Sequence, residues 1–179
     1  MFLSDVTLKK LCQGERPLVA NLCENAIQPA SIDCRISNSF ATIMPPPDGI
    51  ICMDKPVQYN VIEADTYVLQ PGSFVLATTM EYLHIPDNIA SFVDGRSSIG
   101  RIGLFIENAG WIAPGFEGEI TLELFNATLY PIRLVAGHRV GQFVFATTDE
   151  MVKSVYRGKY QGQRGVTGSM LYLDSEFKN

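Results

Sequence analysis

Apolar Ile32, Cys34 and Ile36 alternate with polar Asp33, Arg35 and Ser37, a period of two that predicts a strand with one buried face. Asp33 and Arg35 then share the other face, where an ion pair is their simplest role. Short apolar runs follow at residues 49–53, 67–69, 74–79, 89–93, 104–107, 119–125, 132–134 and 141–147. Between them stand turn signals: Gln70-Pro71-Gly72, Ile85-Pro86-Asp87-Asn88, Ala113-Pro114-Gly115 and Val135-Ala136-Gly137. Many short strands with Pro/Gly punctuation indicate an all-β sandwich or barrel. Pro45-Pro46-Pro47-Asp48-Gly49 fits neither a helix nor a central strand and marks a surface loop.

The period lengthens in two places only. Leu3, Val6, Leu8 and Leu11 have roughly helical spacing behind a Ser4-Asp5 start signal, with Gly14 to end the helix. Between Ser97 and Ile102 the alternation fails, and a single helical turn is expected there. From Tyr156 onward the chain is basic, rich in glycine and poor in aliphatics, so it cannot hold a core of its own. It is either a frayed end or a flap that orders over an anionic ligand. The expected organisation is one β-barrel domain over residues 1–155 and a C-terminal flap over 156–179.

At 179 residues the chain suits a single domain, and 46% hydrophobic against 18% charged residues fits a compact globular protein. The net charge of −5, with no run of Lys and Arg, argues against nucleic acid as a partner, so any anion site must be local. Apolar stretches near the N-terminus are short and broken by charges. Neither a signal peptide nor a membrane span is expected, and the cytoplasm is the default compartment. Cys12, Cys23, Cys34 and Cys52 show no C-x-x-C spacing and read as free thiols.

Two stretches carry chemistry. Gly95-Arg96-Ser97-Ser98-Ile99-Gly100-Arg101 sets two guanidinium groups and two hydroxyls between glycines, which suits a polyanion but equally a turn with an ordinary ion pair. Downstream, Glu123 lies among Leu122, Leu124 and Phe125, where a carboxylate needs a partner: either a salt bridge, with Arg101 for instance, or a proton-shuttling role.

Gly95 to Gly103, the run from Asn108 to Gly118, Ile120 to Asn126 and Lys159-Tyr160-Gln161-Gly162-Gln163-Arg164-Gly165 together resemble the dCTP deaminase family of the dUTPase-like superfamily, including its bifunctional dCTP deaminase/dUTP diphosphatase branch. Gln28-Pro29-Ala30-Ser31-Ile32-Asp33 resembles the family's first strand motif. The resemblance implies a distorted β-barrel or jelly-roll subunit in a homotrimer, with nucleotide sites at the subunit interfaces. It implies that Arg96 and Ser98 contact the triphosphate of dCTP, that Ser97 helps hold the attacking water, that Arg101 positions the catalytic apparatus and that Glu123 shuttles protons. The backbone of Asn108, Ala109 and Gly110 would read the pyrimidine, while Tyr156, Lys159 and Gln163 close over it from the tail. Trp111 either walls the pocket or is simply packed; Phe105, Phe116 and Phe125 read as core.

No catalytic zinc is expected, since the zinc deaminases need an H-x-E…P-C-x-x-C signature and this chain has none. His84 and His138 sit by turns and read as solvated or structural. Mg²⁺ is expected to travel with the triphosphate. By family analogy dTTP acts as a feedback inhibitor.

One position departs from the family. Ile112-Ala113-Pro114-Gly115 places Ala113 where relatives carry an Asp beside the deoxyribose that helps activate water against the α-phosphate. The main expectation is therefore deamination of dCTP to dUTP. The alternatives are direct release of dUMP and diphosphate, with Glu107 or Glu117 standing in as the acid, or a non-catalytic nucleotide-binding trimer.

Overall fold

The computed structural model describes residues 1–106 and 110–177. Helix α1 (Asp5–Leu11) carries Asp5 in its first turn and Lys9 and Lys10 in its last, as its dipole favours, and buries Leu8. Then come β1 (Val19–Ala20), β2 (Ile27–Gln28), β3 (Ser31–Ile43), β4 (Tyr59–Glu63), β5 (Thr66–Leu69), β6 (Phe74–His84) and β7 (Ile89–Gly95). A one-turn helix α2 (Ser97–Gly100) leads to β8 (Leu104–Ile106), β9 (Trp111–Ile112), β10 (Glu117–Asn126), β11 (Ile132–Val135) and β12 (Arg139–Thr147). Two 3-10 turns, Leu171–Leu173 and Ser175–Phe177, follow. None of these helices is long and apolar enough to cross a membrane.

The barrel is organised around β3. Its first half pairs with β12 through Ile32, Asp33, Cys34 and Arg35, and its second half pairs with β6 and β4 after a register shift between Ile36 and Phe40. The sheet therefore runs β8-β10-β6-β3-β12-β7-β9 and curls, while β5 and β11 form a separate ribbon. Ile32, Cys34, Ile36 and Phe40 from β3 meet Val75, Leu122, Leu124, Phe143 and Phe145 in one core. On β10 the alternation is complete: Ile120, Leu122 and Leu124 face in, while Glu117, Glu119, Thr121 and Glu123 form a row on the other face.

Several expectations change. Residues 49–53 form no strand but lie in the loop between β3 and β4, where Ile50, Ile51 and Met53 remain exposed. β1, β4 and β9 carry too little periodicity to be foreseen: two of them are two residues long, and β4 is nowhere fully buried. Asp33 and Arg35 do not pair with each other. Asp33 is 3% exposed and is held by Arg96 and Arg139, whereas Arg35 turns to the fully buried Glu81 on β6. Backbone pairing brings those partners closer than a neighbour two residues away along a strand. Of the three phenylalanines read as core, Phe116 is buried, but Phe105 lies on an edge strand and is 48% exposed.

Candidate active site

The outward row of β10 is the floor of the site. The tail returns onto it like an added strand: Gly162 N–H donates to Glu117 O at 2.8 Å, and Glu119 N–H donates to Gln163 O at 3.0 Å. Gln163 Nε2 donates back to Glu119 O at 2.7 Å, Gly165 N–H donates to the Glu119 carboxylate at 2.6 Å, and Thr167 N–H donates to Thr121 Oγ1 at 3.2 Å. Gly118 makes the approach possible. Its φ is +150° and a Cβ there would lie 3.1 Å from Gln163 O. Arg164 stacks over Tyr82 at 4.3 Å, with Nη1 3.6 Å from Glu119. The basic tail is thus anchored, because it finds carboxylates and backbone groups on β10 that satisfy it.

Upstream, Tyr156 N–H donates to Pro114 O at 2.8 Å, and the Tyr156 ring tilts against Phe116 at 5.7 Å. Between β10, the tail and the loop before β4 lies a cavity of about 550 Å³. Glu123, Gly110, Trp111, Tyr156 and Gln163 all line it, as does Ala113. Ile51, Met53, Leu76 and Phe116 make most of the wall apolar, so a few polar groups can orient a ligand against it. Trp111 is 70% exposed and walls the cavity rather than filling the core.

Lys159 lies beside this cavity, where Asp174 accepts a hydrogen bond from its ammonium and holds the lysine above its ordinary pKa range. Asn108 and Ala109, expected at the base, fall outside the described residues, as does Glu107. Glu117 does not line the cavity and is engaged by Arg16 and the tail.

The Gly95-to-Arg101 loop lies elsewhere. Arg96, at the start of α2, borders a separate open cleft with Arg35, His138 and Arg139, and Ser97, Ser98 and Arg101 on α2 are exposed. Within one chain, then, Glu123 with the tail and Arg96 line different cavities. His84 Nδ1 lies 2.8 Å from Pro17 O, the structural of the two roles expected for it.

Sequence reasoning passed over Glu119, Thr121 and Tyr59, and named no residue of the tail beyond Gln163 for the site. Tyr59 Oη accepts the Ser169 N–H at 3.1 Å, and Gly168, Ser169 and Leu171 line the cavity with it. The strict alternation of β10 signals Glu119 and Thr121, since they share a face with Glu123; nothing local signals Tyr59. Among the described residues no three His, Cys, Asp or Glu side chains gather as metal ligands.

A family model described as dCTP deaminase-like matches residues 2–148. A protein of Persephonella marina named dCTP deaminase, dUMP-forming is 44% identical over 98% of this chain and 100% of that protein. An Aquifex aeolicus protein of the same name is 44% identical over 100% of this chain and 99% of its own. Among solved structures, the 2'-deoxycytidine 5'-triphosphate deaminase from Agrobacterium tumefaciens superposes with a TM-score of 0.62 at 24% identity. That match covers 80% of this chain and 48% of the other, so the chain spans about half its length, and it bears out the distorted β-barrel. With a family match over most of its length and full-length relatives well above 30% identity, the chain belongs to the dCTP deaminase-like family.

Proposed function

We propose that this protein deaminates dCTP hydrolytically and carries the product on to dUMP and diphosphate. The observation that carries the deamination is Glu123, set on the floor of a mostly apolar cavity beside Trp111, Tyr156 and Gln163. Attack of water on C4 requires a base for the water proton and an acid for ring N3 and for the departing ammonia. A single carboxylate in a site of low dielectric can relay these protons in turn. Glu123 takes that role, Ser97 helps hold the water, and Arg101 positions both. By the family resemblance, the backbone of Gly110, with that of Asn108 and Ala109, would read the base.

Arg96 and Ser98 take the phosphates, with Lys159 and Gln163 closing from the tail. Because Glu123 and Arg96 line different cavities in one chain, a complete site on this reading joins the Glu123 cavity of one copy to the α2 loop of another, as a homotrimer does. Exposed Trp111, Phe105 and Ile102 are apolar surface suited to such a contact. Mg²⁺ would be held by the nucleotide's own phosphates and would screen their charge. The donor set of the chain suits this arrangement, since the described residues gather no ligand cluster of their own.

The second step is the revision. Ala113 favours a reaction that stops at dUTP, but the full-length relatives at 44% identity are named dUMP-forming, which supports the bifunctional reading better. Since Ala113 lines the cavity and brings no acid, water attack on the α-phosphate must draw on another group. Incubation of purified protein with dCTP and Mg²⁺, followed by separation of the nucleotides, tests this. dUMP with little free dUTP is expected; accumulating dUTP overturns the second step, and unchanged dCTP overturns both. dTTP is proposed to inhibit, and a rate that stays flat as dTTP rises would remove that part.

A further inference from the structure

The cleft beside α2 gathers three arginines, Arg35, Arg96 and Arg139, with Glu24 on the same lining and Asp33 shared by two of them. Asp33, with a side chain 4% exposed, lies between two arginines: its Oδ1 is 3.5 Å from Arg96 Nε, and its Oδ2 accepts from Arg139 Nη1 at 3.1 Å. Arg96 Nη1 donates to Arg139 O at 3.4 Å and Arg139 Nη1 to Asn25 O at 3.2 Å. Both arginine side chains remain about a third exposed, at 35% and 34%, and both line the cleft, as do Glu24 and His138. Arg35, the third arginine there, is already balanced by Glu81.

The backbone arranges this on purpose. β12 shifts register against β3 between Arg139 and Gly141, so Val140 and Gly141 are buried in succession. Without that bulge, Val140 would share the face of Gln142 and Arg139 would point into the core; with it, Arg139 joins Asp33 on the cleft side. Arg96 N–H reaches Val140 O at 3.4 Å across the same irregularity, which sets the two arginines side by side. One buried carboxylate needs one guanidinium. Asp33 can neutralise only one of the two, and Glu24, though on the same lining, forms no salt bridge with either, so the second guanidinium keeps donors in a planar fork that matches phosphate oxygens.

We propose that Arg139 is a further phosphate-binding residue, sharing the triphosphate with Arg96, and that Asp33 is the positioning residue that holds the two forks together. This rests on the nucleotide-triphosphate reading above. A triphosphate carries several negative charges, and two guanidiniums clamped on one carboxylate meet it with their geometry set in advance.

The test is the affinity of folded protein for inorganic tripolyphosphate by calorimetry, in wild type, Arg139→Met, Arg139→Lys and Arg96→Met, together with dCTP kinetics. Arg139→Met is expected to weaken tripolyphosphate binding about tenfold or more and to raise KM for dCTP by a similar factor, with a smaller change in kcat. Arg139→Lys is expected to recover part of both. Unchanged binding in Arg139→Met alongside weakened binding in Arg96→Met overturns the inference and leaves the phosphate loop standing. Unchanged binding in both, or none in wild type, overturns the loop reading as well. Should Arg139→Met not fold, Arg139→Lys against Arg139→Gln makes the same comparison.

Discussion

The Glu119 carboxylate accepts the Gly165 N–H at 2.6 Å, tying the C-terminal segment to the strand that carries Glu123. A charge-assisted bond of this kind contributes about 1.5–3 kcal/mol, enough to set whether the tail is closed or open. Glu119→Ala is expected to speed tryptic cleavage at Arg157, Lys159 and Arg164 and to raise KM for dCTP. Glu119→Gln keeps an acceptor for Gly165 but loses the attraction to Arg164, and should fall between. Equal cleavage rates in all three proteins would remove the anchoring role.

Glu123→Gln preserves shape and removes the base. Ammonia release is expected to fall by about 10²–10⁴-fold, the range for loss of a positioned acid–base group, while nucleotide binding survives. An ammonia assay paired with calorimetric titration of dCTP separates the two, and a variant that loses binding and turnover together contradicts the assignment.

Asp174 occupies the ammonium of Lys159, which is proposed for the phosphates. Such solvent-screened pairs are weak, so Asp174→Asn should lower KM for dCTP up to about fivefold at low salt, and less at high salt. A KM that rises instead would make Asp174 a support for Lys159 rather than a competitor.

Burial pushes the Glu81 carboxyl above the usual carboxylate range, and the Arg35 guanidinium and N–H pull it back in part. The folded protein then keeps this proton to higher pH than the unfolded chain. The stability contribution is therefore fully present at low pH and is lost as pH rises from the ordinary carboxylate value through the raised one. Glu81→Gln should flatten that fall in urea unfolding followed as pH rises from the ordinary carboxylate value. Glu81→Ala should lose about 3–5 kcal/mol, since it leaves the Arg35 guanidinium without its carboxylate.

Much of this was legible in order along the chain. The alternation of Ile32, Cys34 and Ile36, and of Leu122, Leu124 and Glu123, marks strands because successive side chains must point to opposite faces. Pro and Gly mark the turns because they limit or free φ. Gly95 to Arg101, Glu123 and the Tyr156-to-Gln163 tail also stand out, since each is a polar or glycine-bearing break in an apolar setting.

The sequence by itself determined the long strands β3, β6, β7, β10 and β12, the buried face of β3 and β10, and most of the residues that bring chemistry. Only the tertiary structure decided their company. Asp33 faces Arg96 and Arg139 rather than Arg35, and Glu119 receives the tail. Glu123 lies in a cavity apart from Arg96. The physical reason is that strand pairing, bulges and the returning tail join residues 46 to 106 positions apart, and no local pattern encodes which partner a charge will meet.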